Sequence, residues 1–258
     1  MHPPAHRFAD NQAVKNAIIT GASSGIGAAL ARELGRRGWS LALLARRGDL
    51  LNELRDSLPA KAVAISCDVT DAAAVESAVR RAESELGGAF DLAIANAGVG
   101  ISGHATKFSL AAADQTIRVN VIGMMNLFGA VIPSMVERRS GRFAGVASLA
   151  GLRGMPGAAP YCASKAAMQT FLEASRVELK PHGVGVTIVN PGFIATPMTQ
   201  KNKFKMPFLM QPEEAASIIA DGLDRRKRVI EFPRPMAMFV RLARLVPDAI
   251  YDRIMVKS

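Results

Sequence analysis

Cysteine is scarce in this sequence, and the patterns that would give it a structural use are missing. Cys67 and Cys162 are the only two, with no CxxC spacing and no histidine cluster nearby. That excludes a disulfide framework and a zinc site and fits a reducing compartment. No uninterrupted apolar run of about eighteen residues occurs, and the opening residues Met1-His2-Pro3-Pro4-Ala5-His6-Arg7 lack an apolar core. Neither a spanning helix nor a secretory signal is expected, so the chain reads as cytoplasmic. Aromatic residues make up only 5%, and the tight basic run Arg225-Arg226-Lys227-Arg228 has none interleaved. The formal net charge of +10 therefore comes without the stacking partners of a nucleic-acid module, and no such partner is expected.

The charge is uneven. From Lys180 to Ser258 there are 13 Lys and Arg against 7 Asp and Glu, including the run Arg225-Arg226-Lys227-Arg228, which fits a solvated helix end. With 258 residues, 49% of them hydrophobic, the chain can bury one substantial core, and one α/β domain is the simplest organisation. No repeat at a solenoid period is present.

Residues 1–13 are polar and aperiodic and are expected to form a mobile tail. Short apolar runs then alternate with helical patterns. Strands are expected at 14–20, 40–45, 62–67, 90–95, 141–148, 184–190 and 229–232. Helices are expected after Gly25, over Asp71 to Leu86 with Thr70 or Asp71 as cap, over Leu110 to Arg138, around Tyr161, and over Glu213 to Asp224. Repeated strand-helix alternation implies a parallel, right-handed, doubly wound sheet with helices on both faces.

The first strand runs into Gly21-Ala22-Ser23-Ser24-Gly25-Ile26-Gly27 and then a helix. Glycines allow a tight turn and close backbone approach, and a helix N-terminus favours a pyrophosphate. The second strand ends in Arg46-Arg47 with no acid there. In a dinucleotide fold an acid at this place bonds a ribose 2′-hydroxyl, whereas arginine accommodates a 2′-phosphate, so NADP(H) is expected over NAD(H). Arg46, nearest the strand end, is the better candidate; Arg47 fits a solvated charge opening the next helix.

Tyr161 and Lys165 lie four apart in a helical pattern and so share one face. A positive charge there favours the phenolate, bringing the tyrosine toward proton exchange at neutral pH. Ser148 stands at a strand's C-terminal end, where open α/β sheets bind ligands. Asn120 is an amide in an apolar helix, suited to bonding backbone or to kinking the helix and holding a water.

TGASSGIG at Thr20 to Gly27, Asp68, Asn96-Ala97-Gly98, Asn120, Ser148, Tyr161-x-x-x-Lys165 and Pro191-Gly192 together resemble the classical short-chain dehydrogenase/reductases, in that order and spacing. The resemblance covers residues 14–232, expected to be a dinucleotide-binding catalytic domain. It implies a Rossmann-like, seven-stranded fold that moves a hydride between nicotinamide and an alcohol or carbonyl carbon. By that resemblance Tyr161 is the general acid/base, Lys165 lowers its pKa and holds the nicotinamide ribose, Ser148 bonds the substrate oxygen, and Asn120 keeps a water in the proton relay. Gly21, Ser23, Ser24, Gly25, Ile26 and Gly27 would cradle the cofactor. Asp68 would meet adenine, with Val69 beside it. Asn96, Ala97 and Gly98 would border the adenosine and nicotinamide sides. Pro191, Gly192, Ile194 and Thr196 would flank the carboxamide, and Arg46 matches the NADP-preferring subgroup. A homo-oligomer, dimer or tetramer, is expected.

Two segments go beyond that pattern. Thr196 to Gln211, with Met198, Phe204, Met206, Phe208, Leu209 and Met210, reads as a lid over a bulky apolar carbonyl substrate. Its lysines, Lys201, Lys203 and Lys205, suit either an anionic substrate group or a solvated loop. Residues 233–258 continue past the last strand with an amphipathic helix around Met236 to Val246, expected to pack on the same domain or at a subunit interface rather than on a membrane. The alternative function is a non-catalytic NADP(H)-sensing protein of the same fold. It would most readily show a broken Ser-Tyr-Lys set, and this chain keeps all three.

Overall fold

A computed structural model describes residues 15–101, 103–201 and 205–256. The expected tail at 1–13, Val14 of the first strand, and Lys203 and Phe204 of the expected lid lie outside the described residues. Seven strands form one all-parallel sheet: β1 Asn16–Thr20, β2 Ser40–Ala45, β3 Ala62–Ser66, β4 Leu92–Ala95, β5 Arg142–Val146, β6 Gly185–Pro191 and β7 Val229–Phe232. Their order is β3-β2-β1-β4-β5-β6-β7. Each crossover carries a helix, as parallel pairing requires. Because the order reverses beside β1, a crevice opens between β1 and β4 at their C-terminal ends.

Helices α1 Gly25–Arg36, α2 Gly48–Ser57 and α7 Pro212–Asp224 cover one face; α3 Ala72–Leu86, α4 Leu110–Ile117, α5 Gly123–Glu137 and α6 Ala159–Leu179 cover the other. Strand alternation divides the core accordingly. Ala17, Ile19, Leu41 and Leu43 face the first layer, while Ile18, Ala42 and Leu44 face the second. All of these are fully buried, which explains why β1 and β2 read as continuous apolar runs. Asp71 caps α3, its carboxylate accepting from the Ala74 N–H at 3.0 Å.

Three boundaries differ from the sequence reading. The expected helix from Leu110 to Arg138 is interrupted by a π-turn over Arg118–Ile122. Its 28-residue span is apolar enough to cross a membrane by composition, but Leu127, Val131 and Met135 bury its inner side in the core. The fifth strand stops at Val146, and Ser148 instead starts a short 3₁₀ turn over Leu149–Gly151. The C-terminal extension is two helices, α8 Arg234–Leu245 and α9 Asp248–Met255, because Pro247 ends the first pattern and begins the second.

Candidate active site

The glycine turn is shaped for close approach. Gly21 and Gly25 have φ of 67° and 56°, a region that glycine occupies without strain. A Cβ on Gly27 would stand 2.3 Å from the Gly21 carbonyl oxygen and 2.5 Å from Asn96 Nδ2, so only hydrogen fits there. Asn96 braces the turn: its Nδ2 donates to the carbonyls of Thr20 at 3.0 Å and Gly21 at 3.2 Å, tying β4 to the end of β1. Ser24 flanks the N-terminus of α1, and its side chain makes no capping hydrogen bond. This is a cradle whose backbone N–H groups suit a pyrophosphate.

At the end of β2 the two arginines part company. Arg47, expected to be a solvated charge, crosses to the turn and donates from Nη2 to Ser23 Oγ at 2.9 Å and Ser24 Oγ at 2.8 Å. Arg46 is exposed and exerts its charge on Asp68, whose carboxyl is held below the ordinary range first by the Thr70 N–H and also by that guanidinium. Val69 is buried, and its carbonyl accepts from Asn126 Nδ2 at 2.8 Å. The four side chains Ser23, Ser24, Arg46 and Arg47 thus line one polar end of the crevice.

At the other end α6 brings Tyr161 and Lys165 together. Pro160 lies in its first turn, where a missing N–H is harmless. Lys165 Nζ lies 5.7 Å from the Tyr161 ring centroid. The Ser148 hydroxyl acts on the Tyr161 phenol, favouring its ionised form, and donates to the Pro191 carbonyl at 3.4 Å. Ser148 Oγ also accepts from the Ala150 N–H at 3.1 Å. Lys165 is buried and donates to the Val146 carbonyl at 2.9 Å.

Burial decides both titrations. It lowers Lys165 to about 7 and raises the Tyr161 phenol above its ordinary value, against the opposing influence of the Ser148 hydroxyl. The expected lowering of the phenol by the ammonium is not found. The enclosure that disfavours the phenolate also disfavours the charge that would stabilise it.

Asn120 sits in the π-turn, fully buried, and its amide clamps a loop. Oδ1 accepts from the Val99 N–H at 2.8 Å, while Nδ2 donates to the Val99 carbonyl at 3.0 Å and to Ser164 Oγ at 2.9 Å. Ser164 in turn donates to the Tyr161 carbonyl at 2.7 Å. A Cβ on Gly98 would lie 3.2 Å from Asn120 Oδ1 and 3.6 Å from Lys165 Nζ, so the Asn96 to Gly98 loop reaches the pair.

The segment after β6 closes over these groups. Thr196 Cγ2 lies 3.0 Å from the position of a Cβ on Gly25. Pro191 ends β6, and the Gly192 N–H donates to the Phe232 carbonyl at 2.7 Å. Ile194 is buried and bridges to Met210. Met210 therefore anchors the segment in the core rather than serving the expected lid. Met198 does lie over the site: its sulfur and the Tyr161 ring both flank Gly100, at 3.1 and 3.7 Å from a Cβ built there. Phe208 and Leu209 are exposed, and Met206 is half-buried.

Three supporting residues escaped the sequence reading. Gln169 Nε2 donates to the Ser148 carbonyl at 2.7 Å and to Asn190 Oδ1 at 2.9 Å; Asn190 Nδ2 donates to Glu231 Oε1 at 3.1 Å. Gln169 is four residues beyond Lys165 on α6, a spacing that offered the available signal.

Comparison with known proteins agrees with this architecture. The short chain dehydrogenase family model matches residues 15–206. An uncharacterized oxidoreductase of Myxococcus xanthus is 41% identical over 241 residues, covering 92% of this chain and 95% of its own. A ketoacyl reductase, HetN, of Nostoc sp. is 32% identical, with 82% and 76% covered. Among solved structures, a short-chain dehydrogenase from Sphingobium yanoikuyae in complex with NADPH superposes with a TM-score of 0.77 at 30% identity, covering 86% of this chain and 89% of its own. One from Burkholderia phymatum in complex with NAD gives 0.82 at 25%, with 89% and 92% covered. The chain belongs to the short-chain dehydrogenase family and is an oxidoreductase of that family.

Proposed function

We propose that this oxidoreductase interconverts a carbonyl and a secondary alcohol with NADP(H), taking a bulky apolar substrate and using Tyr161 as general acid/base. The observation that carries the reading is the Tyr161 ring 5.7 Å from the Lys165 ammonium one helical turn behind it, with the Ser148 hydroxyl acting on the phenol. A reduced nicotinamide bound there supplies the hydride to the carbonyl carbon. Negative charge then builds on the carbonyl oxygen. Ser148 donates a hydrogen bond to that oxygen and Tyr161 gives it a proton. The phenol carries its proton at neutral pH, the form that proton donation in reduction requires. In oxidation the same oxygen returns the proton to Tyr161.

Lys165 places a titratable cation beside the phenol and the Gly98 loop, and Asn120 holds that loop to α6. The remaining residues assigned by resemblance, from Gly21 to Gly27, at Asp68 and Val69, at Asn96 to Gly98 and at Pro191, Gly192, Ile194 and Thr196, are proposed to hold the dinucleotide. The absence of an acid at the end of β2 supports NADP(H), as does the presence of two guanidiniums there. Met198 beside Tyr161 supports an apolar substrate. The reading includes a cytoplasmic homo-oligomer, and the free thiols of Cys67 and Cys162 fit a reducing compartment. Residues 14–232 are proposed as the catalytic body and 233–258 as an extension of the same domain, with α8 and α9 resting on the body through the Arg241–Glu231 and Arg153–Asp248 ion pairs.

The test is oxidation of NADPH by the purified protein across a panel of aliphatic, aromatic and steroid-like ketones. Turnover with a bulky apolar member that Tyr161→Phe abolishes is expected. NADPH binding without turnover by any member would favour the sensing protein instead.

A further inference from the structure

Helix α8 reads RPMAMFVRLARL, with three arginines and no acid. Its inner side is apolar: Ala237 is buried, Met236, Val240 and Ala243 are half-buried, and Met236 Sδ comes within 2.8 Å of the position of a Cβ on Gly192. Its outer side is apolar as well. Met238, Phe239, Leu242 and Leu245 are 63%, 72%, 58% and 79% exposed. Met238, Leu242 and Leu245 follow the spacing of one helical stripe, with Phe239 adjoining. An exposed stripe of large apolar side chains flanked by charged ones marks an interaction surface. On α9, Ile250 and Ile254 are likewise exposed, one turn apart.

This surface is held in place. Arg153, in the loop after Ser148, donates to Asp248 Oδ1 at 2.8 Å and to the Arg244 carbonyl at 3.1 Å, and stacks 4.2 Å from the Tyr251 ring. The Tyr251 hydroxyl donates to the Gly154 carbonyl at 2.5 Å. The face therefore adjoins the cleft. A groove of about 400 Å³ runs along it, lined by Glu231, Arg234, Ala237, Met238, Arg241 and Leu242. Both oxygens of Glu231 are engaged, one by Asn190 and the other by Arg241.

The charge pattern selects the occupant. A second copy docked about a twofold axis would set Arg234 and Arg244 near their own counterparts, and α8 has no acid to answer them. On α9, Asp248 is committed to Arg153, and the two helices together carry four arginines, Arg234, Arg241, Arg244 and Arg253, against two aspartates, Asp248 and Asp252. A bilayer with anionic headgroups answers both properties at once: its acyl boundary takes the apolar stripe and its phosphates take the guanidiniums, whose stems reach up from an apolar bed. We propose that the outer face of α8 and α9 docks on an anionic phospholipid surface, with Met238, Phe239, Leu242 and Leu245 entering the interface and Arg234 and Arg244 meeting lipid phosphates. The proposal stands apart from the reaction assigned above.

The experiment is co-sedimentation of the full chain with phosphatidylcholine vesicles, with and without phosphatidylglycerol, alongside sedimentation velocity of the protein alone. Binding that needs phosphatidylglycerol and weakens with salt is expected. Phe239→Glu with Leu242→Glu should weaken it about tenfold or more, as loss of two buried apolar side chains implies. The milder pair Met238→Gln and Leu245→Gln should act in the same direction, and circular dichroism checks that each variant is folded. No pelleting of the wild type, or equal pelleting of wild type and both folded variants, would overturn the proposal. So would a wild-type dimer that these substitutions convert to monomer, since a second copy would then cover the face.

Discussion

The Lys165 ammonium donates to the Val146 carbonyl at 2.9 Å from a position only 4% exposed. A carbonyl and the Met168 sulfur at 3.6 Å are its polar neighbours, and burial takes its pKa from 10.5 to about 7. Below about pH 7 folded and unfolded chains both carry the proton, and the cost of the buried charge is present in full. As pH rises from there toward 10.5 the folded chain has released the proton while the unfolded chain still binds it, so that cost fades. Lys165→Met should therefore raise the melting temperature more at about pH 6 than at about pH 9. Thermal scans of both proteins across that range check it; a constant difference would contradict the assigned titration.

Asn120 makes three hydrogen bonds with no exposure to water. Asn120→Ala should destabilise the protein by about 1–3 kcal/mol, because the Val99 backbone groups lose their partner. It should also lower kcat, since the Val99 loop and Tyr161 share that amide through Ser164. Urea unfolding and steady-state kinetics measure the two effects.

Gly27 has no room for a methyl group between the Gly21 carbonyl and Asn96 Nδ2. Gly27→Ala should cost about 1–3 kcal/mol through overpacking, and NADPH should no longer raise the melting temperature. Gly38→Ala is the contrast: a Cβ there meets nothing within 4 Å, and although φ of 81° adds strain, the cofactor response should survive.

Arg46 and Arg47 follow β2 beside the glycine turn, where the proposed NADP(H) reading puts the 2′-phosphate. Loss of a charge-assisted bond to a 2′-phosphate costs about 1.5–3 kcal/mol, so Arg46→Ala and Arg47→Ala should each raise the KM for NADPH about tenfold or more. The KM for NADH should move far less. Equal changes for the two cofactors would count against a 2′-phosphate contact.

The seven parallel strands and their doubly wound sheet were legible because fully buried parallel strands read as apolar runs and each is followed by a helix, whereas their order was not. Tyr161, Lys165 and Ser148 were legible because spacing along one helix and the end of one strand bring them to the same crevice. Arg47 was not, since its reach to Ser23 and Ser24 depends on where α2 begins and not on local pattern. The π-turn at Asn120 has no compositional mark, and the Gln169, Asn190 and Glu231 relay joins residues distant in sequence. The split between α8 and α9 was missed although Pro247 stands at the break; the apolar residues run past it on both sides.

Proton transfer from Tyr161 is the centre of the account, and one comparison reaches it most directly: kcat/KM for ketone reduction by Tyr161→Phe against wild type, with NADPH affinity followed by fluorescence. Loss of general-acid catalysis is worth about 100- to 10,000-fold. A fall of that size with NADPH affinity unchanged is the predicted result; a variant that reduces the ketone at the wild-type rate would contradict the assignment.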